Sequence, residues 1–319
     1  MSDTEENVLP PSLPTPHAAL TKSYSYHAPK PTTAGRYMLG VDEAGRGPVL
    51  GPLVYGIAYC TLEYLETLKT MGFADSKVLN HATRASLLET LASDPEHLAW
   101  SVRVLAPQDI SSGMLRHPPT NLNEQSKQAT VSLIRDVIAS GIDIAEIYVD
   151  ALGPSVPYQE YLSKLFPAAK VTVCPKADAI YPIVSAASIA AKVTRDAWIE
   201  NWVFTEPGEW NTAMGSGYPS GENSPSNAAA IIIVIYLCWL DPNTKAWLKA
   251  VCEPTFGFPS IVRFSWGTSK TALENNGHVV TWTDENQASL VKAFGSAMGL
   301  DKGRPTFARD LAIHSVSTL

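Results

Sequence analysis

The apolar positions of this chain follow two different periods once the sequence passes Arg36. Tyr37 to Val41 and Val49 to Cys60 are β-rich apolar runs joined by Gly-Arg-Gly-Pro, which predicts a hairpin with a long loop. Leu98 to Leu105 alternates as a third strand, and Ile144 to Val149 and Lys170 to Cys174 predict two short buried strands. Helical spacing covers Leu62 to Met71, Thr83 to Leu91, Asn123 to Ile138 and Pro157 to Leu165, then a long helix from Ala179 to Trp202. Asp241 to Ala250 and Leu290 to Met298 predict further helices, and Arg304 to Leu319 carries little pattern. Early strands with little between them imply an antiparallel meander. The later strand-helix alternation implies parallel pairing through crossover helices. The fold class is therefore α/β: a mixed sheet, antiparallel meander plus parallel strands, flanked by helices, with a helical C-terminal region over 241–319.

Before Arg36 the pattern is different. Pro10, Pro11, Pro14, Pro16, Pro29 and Pro31 stand among Ser, Thr and Glu, so residues 1–35 read as a disordered Pro-rich tail. The tail has no basic start leading into an apolar core, which excludes a secretory signal. Four scattered cysteines, Cys60, Cys174, Cys238 and Cys252, lack the paired spacing of a zinc site or redox dithiol and read as reduced thiols of a cytosolic or nuclear protein. The hydrophobic fraction of 45% is ample for a core. A formal net charge of -7 excludes nucleic-acid binding by bulk charge, so any such binding needs a local basic face or partner subunits.

The candidate chemistry begins at Gly40-Val41-Asp42-Glu43-Ala44-Gly45-Arg46-Gly47. Two adjacent carboxylates end an apolar strand, and a glycine-flanked arginine follows. Carboxylates hold divalent cations, and a backbone without side chains on either side of a guanidinium approaches a phosphate or sugar closely. Asp42 and Asp150 both fall at carboxyl ends of apolar strands, where open α/β sheets place ligands. Asp178 lies just past a third such run. Four acids, Asp42, Glu43, Asp150 and Asp178, could converge at one sheet edge, where bound cations are the usual answer to mutual repulsion. Each also has a plainer reading, because Asp-Glu, Asp150 and Asp178 could cap the elements that follow them. Lys192 and Arg195 share a helical face with Ser188 at i+4 and i+7, and could simply be solvated. Small residues from Ser185 to Ala191 would let that helix pack closely on the sheet. The seven histidines form no cluster, so a histidine-led mechanism has little support.

Several segments together resemble one family. They are GVDEAGRGPVLGP over Gly40 to Pro52, ADSKVL over Ala74 to Leu79, NLNE over Asn121 to Glu124, YVD over Tyr148 to Asp150, KADAIYPIVSAASIAAK over Lys176 to Lys192 and GSGYPS over Gly215 to Ser220. In this order, from about Tyr37 to about Trp282, they resemble the catalytic A subunits of eukaryotic type 2 ribonuclease H. The resemblance implies a ribonuclease H-like fold and a two-metal site of Asp42, Glu43, Asp150 and Asp178 binding Mg2+ or Mn2+. It implies hydrolysis of RNA in RNA/DNA hybrids and cleavage 5' to single ribonucleotides embedded in duplex DNA, leaving 3'-hydroxyl and 5'-phosphate ends. It assigns Gly45, Arg46 and Gly47 to the ribose 2'-hydroxyl and adjacent phosphate, Tyr218 to the RNA-to-DNA junction, and Lys77 to a phosphate; Lys192 and Arg195 are further candidate substrate contacts. It also implies accessory subunits B and C docked through the C-terminal region, where PTFGFPSIVRFSW over Pro254 to Trp266 again resembles the family. Nuclear localisation follows, with the cytoplasm as an additional compartment, and no membrane partner.

One departure is large. Where the family pattern would run from Ser220 directly into Asp241, twenty residues intervene, Gly221 to Leu240. Their apolar part, Ala228 to Leu240, is 13 residues, short of the roughly 20 needed to cross a bilayer. Gly221-Glu222-Asn223 is codable as a splice-donor-like string and Leu240-Asp241 as an acceptor-like end, and excision restores Ser220-Asp241. The segment reads as a translated intron, with a genuine insertion as the alternative. Two rival functions remain at this stage: a non-catalytic assembly subunit inactivated by the insertion, and another ribonuclease H-fold nuclease of the transposase or integrase kind, against which the Gly-Arg-Gly loop and Tyr218 argue.

Overall fold

The structure, a computed structural model, describes residues 9–73, 81–151, 153–208, 210, 214–215, 217 and 242–278. A central sheet takes strands β1 (Tyr24–His27), β2 (Tyr37–Ala44), β3 (Leu53–Thr61), β4 (Leu98–Leu105), β5 (Ile144–Asp150) and β6 (Lys170–Cys174) in the order β1-β4-β3-β2-β5-β6. β2, β3 and β4 form the expected antiparallel meander, and β5 and β6 extend it in parallel beyond β2.

Helices cover both faces. A 3-10 turn at Leu62–Tyr64 leads into α1 (Leu65–Thr70), followed by α2 (His81–Ala92), α3 (Pro107–Leu115), α4 (Leu122–Ala139) and α5 (Ser155–Leu165). Then come α6 (Ala177–Ile180), α7 (Pro182–Glu200), α8 (Pro242–Val251) and α9 (Gly267–Asn276). Alternation along the strands sorts the core into two layers. Leu39, Val41, Tyr55 and Ile57 pack with Leu133, Ile134 and Val137 of α4 and Leu162 of α5. Met38, Val54, Ala58 and Trp100 pack with α7 and with Leu88 and Leu91 of α2. α7 lies almost on the backbone of the sheet: a Cβ added at Gly40 would come 2.4 Å from the Ile183 carbonyl oxygen. The small residues Ser185 to Ala191 are all buried in that contact, as their size predicts.

Three expectations need correction. The long helix expected over Ala179 to Trp202 is two helices. Tyr181, held extended (φ -112°, ψ 112°) by the ring of Pro182, ends α6, and Pro182 opens α7 at the position where its missing N–H costs nothing. The N-terminal segment expected as a disordered tail is built into the fold from residue 9. Tyr24 and Tyr26 alternate onto one face of β1, which pairs antiparallel with β4, and the Tyr26 ring lies 5.1 Å from that of Trp100. Upstream, Leu13 and Leu20 are buried, which stabilises the arm by about 2 kcal/mol each. The Trp198 indole donates to the Tyr24 hydroxyl at 2.8 Å, Tyr24 donates to the Ser12 carbonyl at 2.7 Å, and the Ser12 and Thr194 hydroxyls meet at 2.8 Å. The arm thus straps α7 to the sheet edge. Thirdly, residues 242–277 are no separate C-terminal region: they fall in one compact unit with the sheet, and Trp247, Leu248, Phe258, Ile261 and Val262 join the α7-side core.

Among the described residues no helix is long and apolar enough to cross a membrane. The insertion 221–240, the expected helix Leu290 to Met298 and the terminal stretch Arg304 to Leu319 lie outside the described residues. Described residues on either side of the insertion, Gly217 and Thr244, touch. The Gly217 amide donates to the Thr244 hydroxyl at 3.0 Å, that hydroxyl donates to the Met214 carbonyl at 3.0 Å, and the Gly217 carbonyl accepts from Val49 at 2.8 Å.

Candidate active site

The four acids come from three elements. Asp42 and Glu43 sit near the end of β2, Asp150 ends β5 beside it, and Asp178 lies in the first turn of α6. Neighbours on a strand face opposite ways, so Asp42 and Glu43 straddle the sheet. Asp42 is 6% exposed on the α7 side, under the influence of Ser188 and Lys192. Glu43 shares the other side with Arg46, Tyr55 and Tyr158, and its charge helps push the Tyr158 phenol up to about 12, after burial itself. Asp178 is 4% exposed. The capping readings resolve in an unexpected way. Asp150 accepts from the Ala177 amide at 2.8 Å and so holds the start of α6, which brings Asp178 to the site, while the residue preceding α6 is Lys176 in a left-handed conformation.

Electrostatics tie the group together. Burial pushes Asp42 up to about 7; the Ser188 hydroxyl opposes it, Asp150 adds to it, and the Glu43 amide (2.7 Å) and Lys192 again oppose. Glu43 is raised well above the carboxylate range by burial first, then by Asp42 and Asp150, against Arg46, with Asp178 adding to the rise. Among the described residues no three histidine, cysteine or carboxylate side chains are already drawn together as a shell for one ion. The donor set nevertheless suits hard divalent cations, since it offers only carboxylate oxygens, and Asp42 and Glu43 ionise at a cost that a cation would remove.

A pH dependence follows. Asp42 keeps its proton to about pH 7 when folded, whereas in the unfolded chain it loses it near 3.8, so the folded state binds more protons between these values. In chelator, stability should fall as pH rises from 4 to 7, by up to roughly 4 kcal/mol from Asp42, with the raised Glu43 adding to the fall. Urea unfolding at pH 5, 6, 7 and 8 measures it; Mg2+ should restore most of the loss at pH 8. A stability that rises with pH over this range would contradict the buried-acid arrangement.

The Gly-Arg-Gly loop is held from behind. Gly45 adopts φ +82°, and an added Cβ there would meet the Arg195 side chain at 2.6 Å and the Pro52 carbonyl at 2.7 Å. Arg263, wholly buried, donates from Nη2 to the Gly45 carbonyl at 2.6 Å, from Nη1 to the Arg46 carbonyl at 3.1 Å and from Nε to the Gly51 carbonyl at 2.9 Å. The Trp266 indole donates to the Gly47 carbonyl at 3.0 Å and lies 4.8 Å under the Arg263 guanidinium. In a trans peptide C=O and N–H point oppositely, so the Arg46 and Gly47 amides are turned away from Arg263. The Arg46 side chain reaches α4, donating to Ser126 at 2.7 Å and to Asn123. Arg195 pairs with Asp196 at 3.2 Å and is 11% exposed, and Lys192 lies close enough to Asp42 to lower its pKa. Lys77 and Tyr218 lie outside the described residues.

The sequence profile of Ribonuclease HII matches residues 39–230, which span all four acids and the loop. The chain belongs to the ribonuclease HII family. It is 44% identical to the A subunit of human ribonuclease H2 over 80% of each chain. It matches the crystal structure of ribonuclease H2 from Pyrococcus horikoshii OT3 at 33% identity and a TM-score of 0.56, over 75% of this chain and 98% of that one. Bst-RNase HIII, solved in complex with Mn2+, shares the fold at 16% identity and a TM-score of 0.53, over 76% and 70%. Membership in the ribonuclease HII family makes this chain a hydrolytic ribonuclease H, of the kind that forms the A subunits of eukaryotic ribonuclease H2. Arg263, Trp266 and Ser126 escape the sequence reading of this ribonuclease HII site. Asn123 sits inside the quoted NLNE motif without a role there.

Proposed function

We propose that this chain cleaves the RNA strand of RNA/DNA hybrids and cuts 5' to single ribonucleotides in duplex DNA, as the catalytic subunit of a heterotrimer with accessory subunits B and C. The observation that carries this reading is that the charges of Asp42, Asp150 and Asp178 all reach Glu43, within a ribonuclease HII chain. Two Mg2+ or Mn2+ ions held by these four acids would supply a nucleophilic water at neutral pH and stabilise the leaving 3'-oxygen; a protein of the same fold is solved with Mn2+.

The chain's own residues do the rest. The Arg46 and Gly47 amides, turned forward by Arg263, are donors for the neighbouring phosphate and for the ribose 2'-hydroxyl, the sugar group that separates RNA from DNA at one nucleotide. Arg46, Lys192, Arg195 and Lys77 are substrate contacts by the same reading, and Tyr218 stacks at the RNA-to-DNA junction. Subunits B and C dock on the C-terminal region, and the enzyme works in DNA replication and repair in the nucleus.

The test compares three duplexes in Mg2+: one with a single ribonucleotide, one RNA/DNA hybrid and one all-DNA. The expected result is cleavage of the first two, with the single ribonucleotide cut on its 5' side, and none of the third. Cleavage of all-DNA, or of none, overturns the proposal.

A further inference from the structure

Beside the acids, on the Glu43 side of the sheet, a cavity of about 220 Å3 opens between α4 and α5. Its lining includes Arg46, Asn123, Lys127, Pro154, Pro157 and Tyr158. Arg46 enters from the loop, pinned on Ser126 and Asn123, and Lys127 stands one turn along α4 from Asn123, on the same face. The Lys127 ammonium rests 5.2 Å from the centre of the Tyr161 ring, and no described carboxylate pairs with it. Tyr158, which stacks on Tyr161 at 6.4 Å, lines the cavity with Pro154 and Pro157, so two cations, Arg46 and Lys127, share it with flat, largely apolar groups. Such a lining is unsuited to an acidic peptide's variable side chains and suited to a repeating unit of anionic phosphate and compact sugar ring. It also answers a difficulty of the composition. A chain of net charge -7 needs a local basic face to hold nucleic acid, and this is one, contiguous with the acids through Glu43 and Tyr158.

We infer that this cavity is a backbone subsite: Lys127 binds a second phosphate of the substrate strand, next to the one met by Arg46, while Tyr158 with Pro154 and Pro157 supports the intervening sugar. The inference rests on the nuclease reading above and names where that strand runs as it leaves the acids. Lys127 is a binding residue, not a catalytic one.

The full-length chain tests it with a duplex containing one ribonucleotide. Lys127→Ala should raise KM about 5-fold to 10-fold with kcat within a factor of two, and make the dependence of log KM on log salt shallower by about one unit. Lys127→Arg should restore KM and Lys127→Gln should not. Tyr158→Phe should behave as wild type and Tyr158→Ala should raise KM. If Lys127 only braces α4 against Tyr161, Lys127→Ala will lower the urea midpoint and leave KM and the salt slope unchanged, which overturns the subsite. Binding of the same duplex, followed by fluorescence anisotropy in chelator, separates the two readings. A wild type that binds without ever cleaving refutes the nuclease reading alone. A Lys127→Ala variant that binds as tightly as wild type, with the same salt slope, refutes the subsite alone.

Discussion

Asp42→Asn will abolish cleavage while making the metal-free protein more stable at pH 8. The two effects have one origin. Asp42 is a buried carboxylate whose charge is penalised by burial and by Asp150, and is eased by Ser188, the Glu43 amide and Lys192. Asparagine keeps the shape and the oxygen that accepts the Glu43 amide, but removes the charge, so the repulsion disappears from the folded state. The stability gain should be about 1 to 4 kcal/mol, bounded above by the cost of keeping Asp42 ionised in the metal-free fold at this pH. The loss of activity should be at least roughly 1000-fold, because one of the four groups proposed to hold the cations is gone. Urea unfolding in chelator and single-turnover cleavage of a duplex with one ribonucleotide measure the pair. An ordinary folding defect lowers both quantities together. A variant that keeps wild-type cleavage would remove Asp42 from the site.

Arg263→Ala will cost more stability than any surface substitution, about 3 to 5 kcal/mol. The guanidinium is wholly buried and satisfies the carbonyls of Gly45, Arg46 and Gly51 at once. Truncation leaves three buried acceptors without donors, each a penalty in its own right. Arg263→Lys should recover little, since an ammonium has no planar fork to span three carbonyls or to lie on the Trp266 ring. Where the variant remains folded, at low temperature, kcat/KM on a single ribonucleotide should fall at least about 10-fold, because the Arg46 and Gly47 amides lose the backing that aims them. The urea midpoint and kcat/KM of both variants report this. Wild-type stability in Arg263→Lys would show that charge alone, and not the fork, holds the loop.

Asp42, Glu43 and Asp150 stand out in the sequence because apolar strands end at or beside them, and Asp178 because it follows a third such run; strand ends are where an α/β sheet presents its chemistry. β2, β3 and β4 are legible as nearly continuous runs buried on both faces, and β5 and β6 as short apolar runs whose burial alternates. Arg263 is not legible. An arginine in Phe-Pro-Ser-Ile-Val-Arg-Phe-Ser-Trp reads as surface by default, and only the far-separated carbonyls it meets reveal otherwise. The N-terminal arm misleads in the opposite sense. Its prolines and polar residues have the composition of a free tail, yet Tyr-Ser-Tyr-His carries a period-2 aromatic pair, and two leucines upstream suffice to anchor it. The break before Pro182 was written in the sequence too, since a residue preceding proline avoids the helical region. Which face each acid takes depends on register against β3 and β5, which periodicity alone does not supply.

The contact between Gly217 and Thr244 carries a consequence for how this chain tolerates its extra segment. Gly217 and Thr244 are held together by the fold, so the chain that joins them is a loop that begins and ends at neighbouring points whatever its length. The free energy of closing such a loop grows only with the logarithm of its length, and twenty additional residues cost about 1 kcal/mol. Joining Ser220 to Asp241 would leave residues 218–220 and 241–243 to span the gap between two hydrogen-bonded neighbours. Thermodynamic selection is therefore almost blind to the segment, and whether ribosomes read through it becomes a question of how the message is processed rather than of what the folded protein will bear.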